Sequence, residues 1–160
     1  MEQDLLHCDP LGVENLGFKE QDFAVKVYDI YDGDTVHAIF ERHGQLYKFK
    51  FRLLGMDTAE ISRTKDEKEI EHGKRARDYL EKLLLNKITH VVCHGFGKWP
   101  RLLGTFYESK EAMEAGKISI NDHMVNCGLA YTYSGKGARQ KFEEWGPQAA
   151  LREQAYHESK

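Results

Sequence analysis

Hydrolysis of a phosphodiester bond needs three kinds of group: oxygen ligands for a divalent cation, a base for the attacking water, and fixed positive charge near phosphorus. The sequence holds all three. Asp34 follows an Asp32-Gly33 turn signal, Asp57 and Glu60 stand just past a strongly alternating segment, and Arg52 lies on the polar side of that segment. Carboxylates are hard oxygen donors, suited to calcium or magnesium rather than zinc or copper. Taken singly, each residue also has an ordinary reading. Asp32 and Asp34 suit a hairpin turn, Asp57 and Thr58 a turn or cap, Glu60 a solvated loop, and Arg101 a surface position at a strand start.

The elements that must position these groups follow from periodicity. Phe23, Val25 and Val27 alternate with Ala24, Lys26 and Tyr28, the period of a strand, and after Asp32-Gly33-Asp34 the run TVHAIF resumes as a second. In LYKFKFRLL, Tyr47, Phe49, Phe51 and Leu53 share one face while Lys48, Lys50 and Arg52 share the other. If the aromatic face fills a core, the head of Arg52 reaches a surface site. Thr64 with Glu67 forms a capping-box pattern ahead of a helix whose stripe is Ala76, Tyr79, Leu80, Leu83 and Leu84. ITHVVCH and RLLGTFY read as fourth and fifth strands. A short helix follows, with Ser119 as cap and Gly128 as stop, and a last helix is expected to begin near Pro147. Three strands, a helix, two strands and further helices give an α+β order, and closing the sheet removes its edges. The expected architecture is a five-stranded OB-fold barrel with about three helices, occupying residues 21–160 behind a flexible N-terminal arm at 1–20.

Composition narrows the function. A hydrophobic fraction of 41% over 160 residues suits one domain with its own core. A net charge of −3 argues against coating long duplexes through a broad basic surface, so an anionic substrate must be gripped locally. Lys48, Lys50, Arg52, Lys98, Arg101, Lys136, Arg139 and Lys141 avoid the acidic segments and are compatible with one basic face. Cys8, Cys93 and Cys127 have no CxxC spacing, and the histidines form no HExxH pair, so neither a disulfide framework nor a zinc site is indicated. The opening residues have neither a basic nor an apolar signal region, and no apolar run is long enough to span a membrane; a cytoplasmic, intracellular monomer is expected.

DGDTV at 32–36, RLLGMDTAE at 52–60, KWPR at 98–101 and GLAYTY at 128–133 resemble, in order, the active-site motifs of the staphylococcal-nuclease-like (thermonuclease) family. The similarity spans about residues 23–145, and RLLGMDTAE is its most specific part. The resemblance implies a calcium-dependent nuclease, with magnesium as the alternative ion, that cleaves DNA or RNA to leave a 3′-phosphate and a 5′-hydroxyl. It implies that Asp34 and Asp57 bind the metal through carboxylates and Thr58 through its carbonyl, while Glu60 holds the attacking water. Arg52 and Arg101 would clamp the phosphate, as a guanidinium fork matches two phosphate oxygens. Lys98, Tyr131 and Tyr133 would line the nucleotide pocket; Trp99 is expected to pack on its neighbours. Single strands are the favoured substrate, because unstacked bases can enter a small pocket.

The sequence departs from the family at Ala59, where proline is usual, at Pro100, where glycine is common, and at the acidic stretch 108–117, which is expected to lengthen a hairpin. None of these removes a charged group. The competing function is a non-catalytic OB-fold module that binds nucleic acid or protein without cleavage. A binder has no need of Glu60 together with both arginines.

Overall fold

The alternating segments pair edge to edge until no edge is left. The computed structural model describes residues 2–12, 17–98 and 100–160, so Trp99 lies outside the described residues. Along the chain come α1 (Glu2–His7), a 3-10 turn (Pro10–Gly12), β1 (Gln21–Ile30), β2 (Thr35–Arg42), β3 (Gln45–Leu53), β4 (Met56–Asp57), α2 (Glu67–Leu84), β5 (Ile88–Phe96), β6 (Arg101–Tyr107), α3 (Lys110–Glu114), α4 (Ile120–Asn126), β7 (Tyr131–Thr132) and α5 (Phe142–Glu158). The barrel order is β1-β2-β3-β6-β5, closed on itself. All pairings are antiparallel except β3 with β6, which run parallel and set Lys50 opposite Arg101. The fold is the expected α+β barrel of OB type.

The inward faces are those the period-two pattern selects. Val25 and Val27 of β1, Val36 and Ala38 of β2, Phe51 and Leu53 of β3, Val91 and Cys93 of β5, and Leu102 and Phe106 of β6 are all buried in one cluster. Ala76, Leu80 and Leu84 of α2 close one end. α2 starts at Asp66, whose carboxylate accepts the amides of Lys68 and Glu69. The cap expected at Thr64 instead accepts the Asp66 amide at 3.2 Å, one turn signal upstream of the real start. Ser119 caps α4 by accepting from the Asp122 amide, and Gly128 leaves the helix at φ +81°, both as expected. Gly128 is irreplaceable sterically as well, since a Cβ there would lie 2.2 Å from the Ala149 carbonyl of α5.

Two further helices depart from the sequence reading. The acidic stretch 108–117 does not extend a hairpin but folds as α3, because Ser109 accepts the Ala112 amide and starts a helical turn. α5 begins at Phe142 rather than near Pro147, which lies inside it. Its start is held by the Lys141 amide donating to Glu144 at 2.9 Å, and by Phe142 and Trp145 packing on His72. At the N-terminus, residues 2–7 are helical with none buried, while Phe18 packs edge-on against Phe40 with the Arg42 guanidinium 4.4 Å above its ring.

Asn121 of α4 fastens the strand ends that carry the site. Its amide nitrogen donates to the carbonyls of Leu54 (2.8 Å) and Gly104 (3.0 Å), and its oxygen accepts the Phe106 amide (3.0 Å). Asn121→Ala would leave these buried backbone groups unpaired, and urea unfolding should show a loss of about 3 kcal/mol.

His72 of α2 is buried and donates from Nε2 to the Gly128 carbonyl at 2.9 Å, while Nδ1 has no hydrogen-bond partner among the described residues. Burial holds its pKa below the usual histidine range, opposed by the Glu153 charge. A depressed native value means the histidine's contribution to stability is present above about pH 6.5 and is lost as pH falls below it. The unfolding midpoint should therefore drop between about pH 7.5 and 5.5, and drop less in His72→Gln.

Candidate active site

The site begins at the β1–β2 hairpin. Asp32 accepts the Asp34 amide at 3.1 Å, forming a tight turn that leaves the Asp34 carboxylate at the start of β2. Gly33 allows the hairpin to lie directly on the next loop; a Cβ there would meet Thr58 Cγ2 at 2.8 Å and Ala76 Cβ at 2.9 Å. The Leu53 amide donates to the Asp34 carbonyl at 2.8 Å and ties the hairpin to the end of β3.

β3 then turns through Gly55, at φ +83°, into β4, which pairs with β7: Met56 opposite Thr132 and Asp57 opposite Tyr131. This small ribbon brings Asp57 back beside Asp34. Arg52 bridges them, with Nη1 3.1 Å from Asp34 Oδ2 and Nη2 3.4 Å from Asp57 Oδ1. Alternation along β3 is what sends the guanidinium this way, since Phe51 and Leu53 point into the barrel.

The Asp57 side chain is 1% exposed and crowded with donors. Oδ1 accepts from the Thr58 amide at 3.0 Å and from Arg139 Nη2 at 3.1 Å; Oδ2 accepts from the Tyr131 hydroxyl at 2.9 Å and from Arg139 Nε. Arg139 also donates through Nη1 to Glu60 Oε1 and through Nη2 to the Thr58 carbonyl at 3.4 Å. Burial pushes the Asp57 carboxyl up and the neighbouring Asp34 adds to this, while Arg139 pulls it down. Asp34 is likewise raised, by burial and then by Asp32, against the pull of Arg52. Two carboxylates whose ionisation is resisted in this way form a site that favours added positive charge.

Beyond the acids opens a cleft of about 1010 Å³, lined by Asp34, Arg52, Asp57, Thr58, Glu60, Lys98, Arg101 and Tyr133. The parallel β3–β6 pairing supplies Arg101, and among the described residues its side chain has no ion-pair partner. Tyr133 lines the cleft with its hydroxyl donated to the Gly137 carbonyl at 2.8 Å. Tyr131, expected beside it, is buried instead: its ring lies 4.7 Å from that of Trp145, and its hydroxyl holds Asp57. Burial and the Asp57 charge push that hydroxyl up to about 12, so it donates and does not ionise near neutral pH. Tyr131 is fixed opposite Asp57 in the β4–β7 ribbon, whereas Tyr133 lies just past the end of β7, and there the two tyrosines part.

The groups with the chemistry for a hard divalent ion are the carboxylates of Asp34 and Asp57 and the Thr58 carbonyl, all oxygen donors, which fits calcium or magnesium. Among the described residues, no three acidic, histidine or cysteine side chains converge on a point that would hold an ion. Glu60 is turned toward Arg139. Arg139 is the site residue that sequence reasoning missed, having counted it only as one cation of a possible basic face. It follows the GLAYTY motif within a glycine-rich loop, where Gly135 and Gly137 both adopt φ +81°, but nothing local separates it from Lys136 and Lys141.

No helix among the described residues is long and apolar enough to cross a membrane. A search of curated proteins finds no match to the chain. The family model described as staphylococcal nuclease homologue matches residues 50–158. Arg52, Asp57, Thr58, Glu60 and Arg101 fall within the match; Asp34 precedes it and is joined to the site by its ion pair with Arg52. With more than half of its 160 residues matched, and with the closed five-stranded barrel underneath, the chain belongs to the staphylococcal nuclease homologue family.

Proposed function

We propose that the chain is a divalent-cation-dependent nuclease, calcium being the preferred ion and magnesium the alternative, that hydrolyses phosphodiester bonds in DNA or RNA as a monomer. The observation that carries this reading is the Arg52 guanidinium bridging Asp34 and Asp57 at the floor of a cleft whose wall presents Arg101.

Asp34, Asp57 and the Thr58 carbonyl are the groups that would hold the ion. The chemistry such an ion supplies, when bound, is charge neutralisation at a phosphate oxygen. Glu60 orients the attacking water and takes its proton on a carboxylate oxygen as the new P–O bond forms. Arg52 and Arg101 donate N–H groups to the non-bridging oxygens, where charge gathers in the transition state. Cleavage of the bond to the 5′ oxygen, which takes a proton from solvent as it leaves, gives the 3′-phosphate and 5′-hydroxyl that family membership implies. Lys98 and Tyr133 flank the strand, and all these groups come from one chain, so a second copy is not required. Tyr131 serves by fixing Asp57, not by touching the nucleotide.

Single strands are the favoured substrate, since the acids lie deep: the Asp57 side chain is 1% exposed, and a stacked duplex presents its backbone less flexibly to such a floor. Incubation of the protein with a short end-labelled single-stranded DNA in calcium should yield fragments ending in 3′-phosphate. Retention of intact DNA on the protein, independent of calcium, would instead assign the chain to the non-catalytic binding modules of the OB type.

A further inference from the structure

The oxygens expected to receive a cation already carry one. Asp57 accepts from five donors, counting the Thr58 amide, Arg52, Tyr131 and two nitrogens of Arg139. A carboxylate offers about four lone-pair positions, so its acceptor capacity is filled. Arg139 reaches the Thr58 carbonyl and Glu60 as well. One guanidinium therefore covers the carboxylate, the carbonyl and the water-holding acid that the proposed ion site uses.

We propose that Arg139 is a resident cation of this site, competing with the divalent ion, and that ion binding expels its guanidinium and loosens the 134–141 loop. The inference rests on the cation-site reading above and adds a gate to it.

The two arginines on Asp57 differ in how easily they can leave. Arg52 is anchored in β3 with a side chain 15% exposed, and it also donates to the Met56 carbonyl at 3.4 Å. The Arg139 side chain is 45% exposed and stands on a segment outside any helix or strand. At Gly135 and Gly137 nothing among the described residues lies within 4 Å of a Cβ position, so the loop has open space in which to rearrange. The tie to be broken is electrostatic rather than packed. One divalent ion can replace one guanidinium without leaving the acids uncompensated, which makes the exchange reversible on the side of the acids. On the loop side, the Gln140 amide stays held by the Tyr131 hydroxyl that also donates to Asp57, so the freedom gained falls on the residues before it.

The test is calcium binding to the full chain, followed by titration calorimetry without substrate, in the wild type, Arg139→Gln, Arg139→Lys and Lys136→Gln. Arg139→Gln should bind calcium about tenfold more tightly, the scale of one or two charge-assisted hydrogen bonds released from competition. Arg139→Lys, which keeps the charge but loses the fork, should fall between it and the wild type. Lys136→Gln lowers the loop's charge equally, but the Lys136 side chain makes no ion pair with the acids among the described residues, so affinity should change by less than about twofold through screened long-range attraction alone. In the wild type, calcium should speed hydrogen exchange across 134–141, against the usual protection by a bound ion. Equal affinities in wild type and Arg139→Gln, or equal gains in Arg139→Gln and Lys136→Gln, would overturn the gate while leaving the ion site intact. Slower exchange across the loop on adding calcium would also overturn it. Absence of calcium binding in every form, with circular dichroism showing each folded, would overturn both the gate and the cation-site reading.

Discussion

Replacing Arg52 with glutamine should lower the rate constant for cleavage by about three orders of magnitude, the range found when a charge-stabilising donor is removed from a reacting phosphate. Two effects combine. In the transition state, the missing fork leaves charge on the non-bridging oxygens without its deepest donor. In the resting protein, Asp34 loses its ion pair at 3.1 Å and Asp57 loses one of its two arginines. Burial already resists ionisation of both acids, so the variant should also lose about 2 kcal/mol of stability in the absence of divalent ions. Added calcium should recover part of this stability but none of the rate. Arg52→Lys separates the two: it restores a charge between the acids but cannot present two parallel N–H groups, so stability should return more fully than turnover. Rapid-quench cleavage and thermal unfolding on the same samples measure both. A cleavage rate within about threefold of the wild type for Arg52→Gln would remove Arg52 from the mechanism, because the loss of a transition-state contact is read directly in the rate.

The second large effect is at Asp57. Asp57→Asn keeps the shape and retains one oxygen that can accept from Tyr131, while it removes the charge and half the acceptor capacity. Activity should fall at least about a thousandfold, as a lost ligand removes the ion and its charge neutralisation together. The fold should survive, since the barrel interior is built from Val27, Phe51, Leu102 and Phe106 and does not include this side chain. Calcium binding should weaken in parallel with the rate. Unchanged turnover in a folded Asp57→Asn protein would show that the ion is held elsewhere.

The parts of this arrangement that the sequence reveals are those governed by short-range rules. The alternation from Tyr47 to Leu53 puts Phe51 in the barrel and Arg52 at the cleft because a half-buried strand has a period of two. Ser119 and Gly128 mark α4 because each satisfies backbone groups within its own turn. Where two local signals compete, the sequence does not decide. Thr64 and Asp66 both stand near the start of α2, and the helix takes Asp66, whose carboxylate reaches the Lys68 and Glu69 amides. For α5, the start depends on where Phe142 and Trp145 find His72, a residue on a different helix; the proline rule speaks only to where a proline is tolerated.

The longest-range features are invisible for the same reason. Arg139 meets Asp57 across 82 residues and Glu60 across 79, and no local pattern distinguishes it from Lys136 or Lys141 beside it. The role of Tyr131 turns on a two-residue pairing of β4 with β7, too short to leave a periodic trace. In both cases the charged or polar residue types are readable, but which of them meet is decided by the closure of the chain.

Under the proposed function, the acids at the barrel rim act through a divalent ion to cleave a phosphodiester bond. The decisive quantity is the initial rate at which the wild-type protein cuts a labelled single-stranded DNA as free calcium is raised from chelated to millimolar levels. The expected result is no cleavage under chelation and a saturable rise with calcium, reversed when chelator is restored. Cleavage that proceeds equally under chelation, or DNA that stays intact at every concentration of calcium and of magnesium, would contradict it.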